Sequence, residues 1–360
     1  MASIHPRWRA LARSAVATTA AVATTATLAA CSLVGADNAH ESGTKDVVLV
    51  THDSFALPKA LIRQFDQQSG YHLVVHAAGD GGTLTNKLVL TQGNPTGDVA
   101  FGVDNTFATR ALDAGVFAPY DVTLPAGASR YLIPGDDHRL APIDNANVCV
   151  NIDTGWFADH HLAAPRSLDD LVEPAYHDLL AVPGATTSST GLAFLLGTIG
   201  KYGDGWQAWW KKLVANGATV TDGWSQAYET DFTQGGGHGA DPIVVSYDSS
   251  PAFTVAKGSD TSTTRALLDT CFRQIEYAGV LTGAANPAGA RAVVDFLLSP
   301  EVQRALPDAM YVFPVRQGTP LPAAWAKFAV QPQHPYDVSP AEITARRETW
   351  LQQWSNIVSR

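Results

Sequence analysis

Positive charge is scarce in this sequence. Of 360 residues only 24 are Lys or Arg, against 34 Asp or Glu, and charged residues together make up 16%, where roughly a quarter is usual in a soluble protein. A net charge of −10 with no basic tract excludes a phosphate-neutralising surface, so no nucleic-acid partner is expected. Sulfur is sparse too, with three cysteines and two methionines. No Cys/His zinc spacing occurs and the eleven histidines are scattered. His160 and His161 are adjacent, and adjacent residues on a helix do not face one site, so no metal is expected. No G-x-S-x-G elbow is present, because Gly223-Trp224-Ser225 lacks the second glycine. An H-E-x-x-H, a P-loop and a G-x-G-x-x-G after a strand are missing as well, so the familiar hydrolytic and nucleotide-binding signatures are absent. No cofactor is expected, and an enzyme is made less expected without being excluded, because catalytic triads are not local in sequence. A repeat of roughly 20–50 residues is also missing, which argues against a solenoid.

No stretch near the N-terminus reaches the roughly 20 apolar residues that a membrane-spanning helix needs. Arg7, Arg9 and Arg13 are followed by 16 uncharged residues, 15–30, rich in Ala and Thr. A basic region, a short apolar run and small residues before a cleavage point are the pattern of a secretory signal peptide. The run ends in Leu28-Ala29-Ala30-Cys31, which resembles a bacterial lipobox. Residues 1–30 are read as a lipoprotein signal peptide, Cys31 as the lipid-modified first residue, and 31–44 as a flexible tether. Removing three of the 24 basic residues and none of the 34 acidic ones takes the net charge from −10 to −13. The remaining cysteines, Cys149 and Cys271, fit one disulfide in an exported chain.

Hydrophobic residues make up 46% of the chain, enough for a large core. At roughly 150 residues per domain the length fits two domains or one large one. A strand is expected at 47–50, a helix from Pro58 to its stop at Gly70, a strand at 71–75, a turn at Asp80-Gly81-Gly82, and a helix marked by Leu84 and Leu88. A strand at 98–103 and a helix ending at Gly115 complete a strand–helix alternation that argues for a largely parallel sheet. An apolar alternation at 146–152 precedes a second such series. That series has a helix near 168–172, a strand at 179–182, a helix opened by Ser188-Ser189-Thr190-Gly191 and a Trp206/Trp209/Trp210/Leu213 helix. A strand ending at Val220-Thr221, a helix opened by Gly223-Trp224-Ser225, a strand at 243–247 and a helix begun by Asp248-Ser249-Ser250-Pro251 follow. The segment 235–239 is read as a mobile loop, and the tail from Ala288 as mostly helical. Ligands of open α/β sheets sit outside the carboxyl ends of the strands, so the polar turns after these strands are the candidate contacts.

Those turns resemble a known family. Thr51-His52-Asp53-Ser54-Phe55, Asp80-Gly81, Gly102-Val103-Asp104-Asn105, the Thr221–Tyr228 segment, Ser246-Tyr247-Asp248-Ser249-Ser250-Pro251-Ala252, Leu298-Ser299-Pro300 and Tyr311-Val312-Phe313-Pro314-Val315 occur in order over the mature chain. Together they are similar to the periplasmic thiamine-binding proteins of thiamine ABC transporters. The resemblance implies an α/β, two-lobed type II binding-protein fold with the ligand cleft between lobes. Its lobes would be 45–143 with 277–360, and 144–276. Joined to the lipobox reading at Cys31, it implies a lipid-anchored, extracytoplasmic carrier, monomeric by default for a delivery protein, that brings thiamine, its monophosphate or its diphosphate to a permease.

Thiamine carries a cationic thiazolium ring, for which an aromatic face is worth about 2 kcal/mol once desolvated. Trp224 stands where the family places a stacking tryptophan, Tyr247 is at a ligand position and Tyr311 at an aromatic one. Asp80, Gly81, Asp248, Ser249 and Ser250 match its contacts to the aminopyrimidine. Ser188 and Ser189, at a helix start, match its hydroxyl or phosphate subsite. His52 and Asp53 follow the first strand, where the family often has Tyr in place of His52. The competing expectations are a same-fold carrier for iron, a polyamine or an oxoanion, and a secreted thiamine-degrading enzyme. Iron carriers of this fold usually bring adjacent tyrosines, which the ten Tyr here do not include. The enzyme needs a nucleophilic cysteine in the cleft. Cys149 and Cys271 fall near the two crossings between lobes, where a disulfide would pin the hinge.

Overall fold

The computed structural model describes residues 45–136, 138–256 and 258–359. The expected signal peptide, Cys31 and the tether to residue 44 lie outside them. The elements run β1 (Asp46–Thr51), α1 (Lys59–Ser69), β2 (His72–Ala77), α2 (Gly81–Leu90), β3 (Val99–Asp104), α3 (Ala108–Asp113), β4 (Ala141–Asp153) and α4 (Thr154–Asp159). They continue with β5 (Leu180–Pro183), α5 (Ser189–Tyr202), α6 (Trp206–Ala215), β6 (Thr219–Thr221), β7 (Ile243–Tyr247) and β8 (Thr264–Val280). The chain ends with α7 (Pro287–Leu297), α8 (Pro300–Met310), β9 (Phe313–Pro314), α9 (Ala323–Phe328) and α10 (Pro340–Val358).

The nine strands among the described residues belong to one sheet in the order β2-β1-β3-β8-β4-β7-β5-β6, with β9 paired to β4. At one end β2, β1 and β3 are parallel, and at the other β7, β5 and β6 are parallel. Between them β4 and β8 run antiparallel to each other and to their outer neighbours. These two strands are the longest, 13 and 17 residues, and they carry the chain across the middle of the sheet.

Local chemistry explains most boundaries. Gly70 ends α1 in the left-handed conformation, φ 75°, which glycine adopts without a Cβ penalty. Ser188, Asn286, Ser299 and Ser339 cap α5, α7, α8 and α10, each accepting a backbone N–H of the first turn. The first eleven residues of α5 are all buried, so its apolar composition marks a central helix rather than an amphipathic one. Trp210 packs edge-on against Phe194 of α5 and Trp354 of α10 and donates its Nε1–H to Thr198 Oγ1 at 2.9 Å. A fully buried indole keeps a partner in this way.

Several expectations are corrected. Asp80-Gly81-Gly82 is no free turn: Asp80 is the N-cap of α2 and accepts the Gly81 amide at 2.6 Å. The helix expected near 168–172 is a single 3-10 turn, Asp170–Val172, ended before Pro174, whose ring disfavours helix at Glu173. The helix expected after Asp248 is one 3-10 turn, Ser250–Ala252, and the one after Trp224 is a π-helical turn, Gln226–Asp231. The 235–239 loop is tied to that π turn, with Gly237 donating to Glu229 O at 3.0 Å. Cys149 and Cys271, on neighbouring strands β4 and β8, are joined by a disulfide and fully buried.

Candidate functional site

The carboxyl ends of the parallel strands at both ends of the sheet converge on one cleft over its middle. From one side come His52 and Ser54 after β1 and Asp80 after β2. From the other come Ser189 at the start of α5, Trp224 and Glu229 after β6, and Tyr247 at the end of β7. Glu276 of β8 lines the cleft, and Ala309, Met310 and Tyr311 at the end of α8 complete it. The cavity measures about 110 Å³, below the ~300–1,000 Å³ usual for small-molecule sites.

One wall is aromatic. The Trp224 ring stacks on Tyr228 with centroids 5.1 Å apart and planes 10° apart, and meets Tyr247 and Tyr311 at 5.8 Å each. Its Nε1–H donates to Ser246 Oγ at 2.8 Å, which fixes the indole plane. Tyr311 has φ 65°, a left-handed backbone that is rare for an aromatic residue. It is held there by stacking on Phe253, centroids 3.5 Å apart, and by the Ser249 hydroxyl, which donates to its carbonyl. Burial raises the phenols of Tyr228, Tyr247 and Tyr311 above their ordinary range, so all three are neutral donors at physiological pH.

The floor is acidic. Glu276 faces Asp104 of β3 on one side and Asp144 of β4 on the other, in direct cross-strand register. All three are buried. Burial pushes Asp104 up to about 7 and holds Asp144 and Glu276 well above the carboxylate range. His52 Nε2 lies 3.5 Å from Glu276 Oε1. Burial lowers the imidazole to about 4, so this base is neutral at physiological pH. Its ring packs over Gly102, φ +100°, where a Cβ would come within 2.2 Å of His52 Cδ2. Only glycine fits both that backbone and that contact. Among the described residues no group of three or more His, Cys, Asp or Glu is arranged to hold a metal ion.

Of the residues expected from sequence, the structure brings His52, Asp80, Ser189, Trp224, Tyr247 and Tyr311 together around the cleft. Asp53 lines an adjoining hollow with Asp80, Asp222 and Gln226. Asp80 itself is occupied: Oδ1 accepts from Gly81 and, at 3.2 Å, from Ser189, while Oδ2 accepts from Trp224 at 2.8 Å. It thus clasps the α5 start and the Trp224 turn to the β2 end of the sheet, and Ser54 and Ser225 add a hydroxyl pair at 3.1 Å.

Gly81 is buried beside Ser189, whose Oγ a Cβ would meet at 2.0 Å. Ser188 is turned inward as the α5 cap, bonded to Thr190 Oγ1. Ser250 bonds Ser246 and the Tyr247 amide. Asp248 accepts both the amide and the side chain of Asn147 and borders a separate hollow with Arg265 and Lys327. Ser188, Asp248, Ser249 and Ser250 therefore shape the site from behind. Sequence reading missed Glu276, Asp144, Tyr228 and Glu229. The signal for Glu276 was a carboxylate between two apolar residues, Ile275-Glu276-Tyr277, just before the apolar end of the run at 277–281.

Residues 94–337 match the family of bacterial extracellular solute-binding proteins. The chain is 30% identical over 324 residues to the thiamine-binding periplasmic protein of Escherichia coli K12, covering 87% of this chain and 94% of that one. It is 30% identical over 326 residues to that of Brucella suis, covering 88% and 93%. Among solved structures, a periplasmic thiamin-binding protein superposes with a TM-score of 0.76 at 29% identity, covering 88% of this chain and 96% of that one.

Proposed function

The chain belongs to the bacterial extracellular solute-binding proteins, and from that premise we propose that it captures thiamine outside the cytoplasm and hands it to an ABC transporter permease. The observation that carries the ligand is the pairing of an aromatic wall, Trp224 with Tyr228, Tyr247 and Tyr311, with an acidic floor at Glu276. A flat cation is favoured by both surfaces, one through the ring quadrupole and the other through the carboxyl oxygens it meets. Identity of about 30% to thiamine-binding relatives over most of both chains supports the same ligand.

The lobes are read as 45–143 with 277–360, and 144–276, with β4 and β8 as the crossings between them. Closure then brings Asp80 onto the Ser189 and Trp224 amides. Residues 1–30 are read as the lipoprotein signal and Cys31 as the membrane anchor. No helix among the described residues is long and apolar enough to cross a membrane. The family is one of binding proteins, and no catalysis is proposed. The two described cysteines are bonded to each other, which leaves neither as a nucleophile for thiamine breakdown.

Calorimetry with thiamine, its monophosphate and its diphosphate, together with tryptophan fluorescence, tests the proposal. Binding at micromolar or lower concentration with quenching is expected. No heat, no quenching and no thermal shift with any of the three would sink it.

A further inference from the structure

We propose that Glu276, backed by Asp144 and Asp104, reads the positive charge of the ligand, and that the cation displaces a proton from this trio into solvent as it binds. The inference rests on the cleft being the site of a cationic ligand, as proposed above.

The geometry is a ladder of carboxyls across three neighbouring strands. Asp104 is the register partner of Glu276 in the β3–β8 pair, and Asp144 is its partner in the β4–β8 pair. Residues directly opposite in adjacent strands share a face with Cβ atoms about 5 Å apart, and like charges placed so repel. All three groups are buried, and Glu276 is the member that lines the void. Asp104 Oδ1 is used by Thr106 and Phe107, but its Oδ2 has no partner. The fully buried Asp144 meets the Glu276 carboxyl, and a hydrogen bond between the two requires one of them to hold a proton. His52 Nε2, also buried and without a hydrogen bond, points at the same spot.

Burying three neighbouring carboxyls in ionised form costs free energy unless something positive meets them. His52 does not supply it, since burial keeps the ring neutral down to about pH 4. The other titratable groups facing the trio are Asp80 at the α2 cap, Tyr247 of β7 and Tyr277 of β8, with Glu229 and Asp53 nearer the mouth, and all of these are acids. The raised carboxyls of Asp104, Asp144 and Glu276 mean that the empty floor holds protons at neutral pH. An organic cation over Glu276 favours the ionised form, so the proton leaves to water as the ligand settles. The trio is not arranged as a metal chelate, so the fit is to a diffuse organic cation.

The sign of the pH dependence follows. Below the raised pKa values the ligand must displace a proton, so affinity rises with pH. The limiting slope is about tenfold per pH unit for one proton exchanged.

The test is thiamine calorimetry on the wild-type protein at one neutral pH in two buffers of different ionisation enthalpy, repeated across pH above the range where the ligand's own pyrimidine titrates. About one proton released per thiamine is expected. Glu276→Gln keeps the shape and removes the charge. About 30-fold weaker binding is expected, the ratio that ~2 kcal/mol for a lost desolvated partner corresponds to, with proton release abolished. Asp144→Asn is the second variant, expected to bind thiamine with reduced proton release. Thermal melts of both check that they fold, which loss of mutual repulsion favours.

Thiamine binding by the wild type with no proton release and a flat pH profile overturns the inference while leaving the proposed function standing. Unchanged affinity in folded Glu276→Gln overturns it too. No thiamine binding by the wild type at any pH overturns both.

Discussion

Replacing Asp80 separates a clasp from a ligand contact. Its carboxylate takes three backbone N–H groups, and two of them, Ser189 at 3.2 Å and Trp224 at 2.8 Å, belong to the opposite end of the sheet. A hydrogen bond to a charged acceptor contributes ~1.5–3 kcal/mol, so the two together would give ~3–6 kcal/mol if fully desolvated. Asp80 is only half-buried, and water recovers part of that when the side chain is removed. We therefore expect Asp80→Ala to weaken the closed arrangement by about 2–3 kcal/mol, a factor of about 30–150 in its population. The apparent thiamine affinity falls by a similar factor wherever closure is required for binding.

Asp80→Asn should rescue little, because one amide oxygen cannot accept both cross-sheet groups and the amide nitrogen would face a donor. The assay pairs calorimetry with small-angle scattering of the ligand-free protein. A clasp predicts a larger radius of gyration in both variants before any ligand is added. Unchanged dimensions with weakened binding would reassign Asp80 to direct ligand contact. Wild-type affinity and dimensions in Asp80→Ala would refute the reasoning altogether.

Trp224→Ala should cost about 3–5 kcal/mol of stability, since the indole is 5% exposed and stacked on Tyr228. It should also remove thiamine-dependent quenching, whereas Trp224→Phe keeps part of the aromatic wall but loses the Ser246 bond. A melt equal to wild type would contradict that packing. Thiol titration of denatured, unreduced protein should detect neither Cys149 nor Cys271, and the double serine variant should be less stable by about 2–5 kcal/mol in chemical unfolding. His52 is held neutral in the fold, at about 4 against 6.5 for a free ring. Its contribution to stability is therefore complete above pH 6.5 and is lost as pH falls from 6.5 towards 4, with a ceiling of ~3 kcal/mol. The difference in melting temperature between wild type and His52→Gln, followed from pH 7 to 4, should shrink or reverse over that window. A constant difference would contradict it.

Much of the fold was legible because its signals are local. The β-branched run at Val47–Val50, the stop at Gly70 and the serine cap before α5 each act over a few residues. The longest strand was not legible beyond Cys271–Ile275. β8 carries Arg265 and Asp269, which are exposed, and Arg273 and Glu276, which a strand at the middle of a sheet tolerates because Asn147 and Asp144 meet them across the strands. Those partners lie far away in sequence, and for the same reason Glu276 escaped notice: its meaning depends on Asp104 and Asp144 in register. The aromatic positions were readable as candidates, but which way each serine turned was not. A cap and a ligand contact use the same hydroxyl, and only the packing around Ser188 and Ser250 decides between them.

The bond between Cys149 and Cys271 divides the chain in a way that contacts alone do not. It closes a ring 122 residues apart in sequence that contains α4, β5, α5, α6, β6 and β7, the whole β5–β7 end of the sheet. β1 to β3 and α7 to α10 hang from the ring as two open tails. A protease cut in the exposed 235–239 loop therefore leaves one covalent molecule, intact on a non-reducing gel and split on a reducing one. A cut in either tail releases a fragment under both conditions. During export the ring cannot close until Cys271 has emerged, yet it needs nothing beyond that point. The β5–β7 end can thus be tied off covalently before α10 arrives to pack its Trp354 on Trp210 of α6.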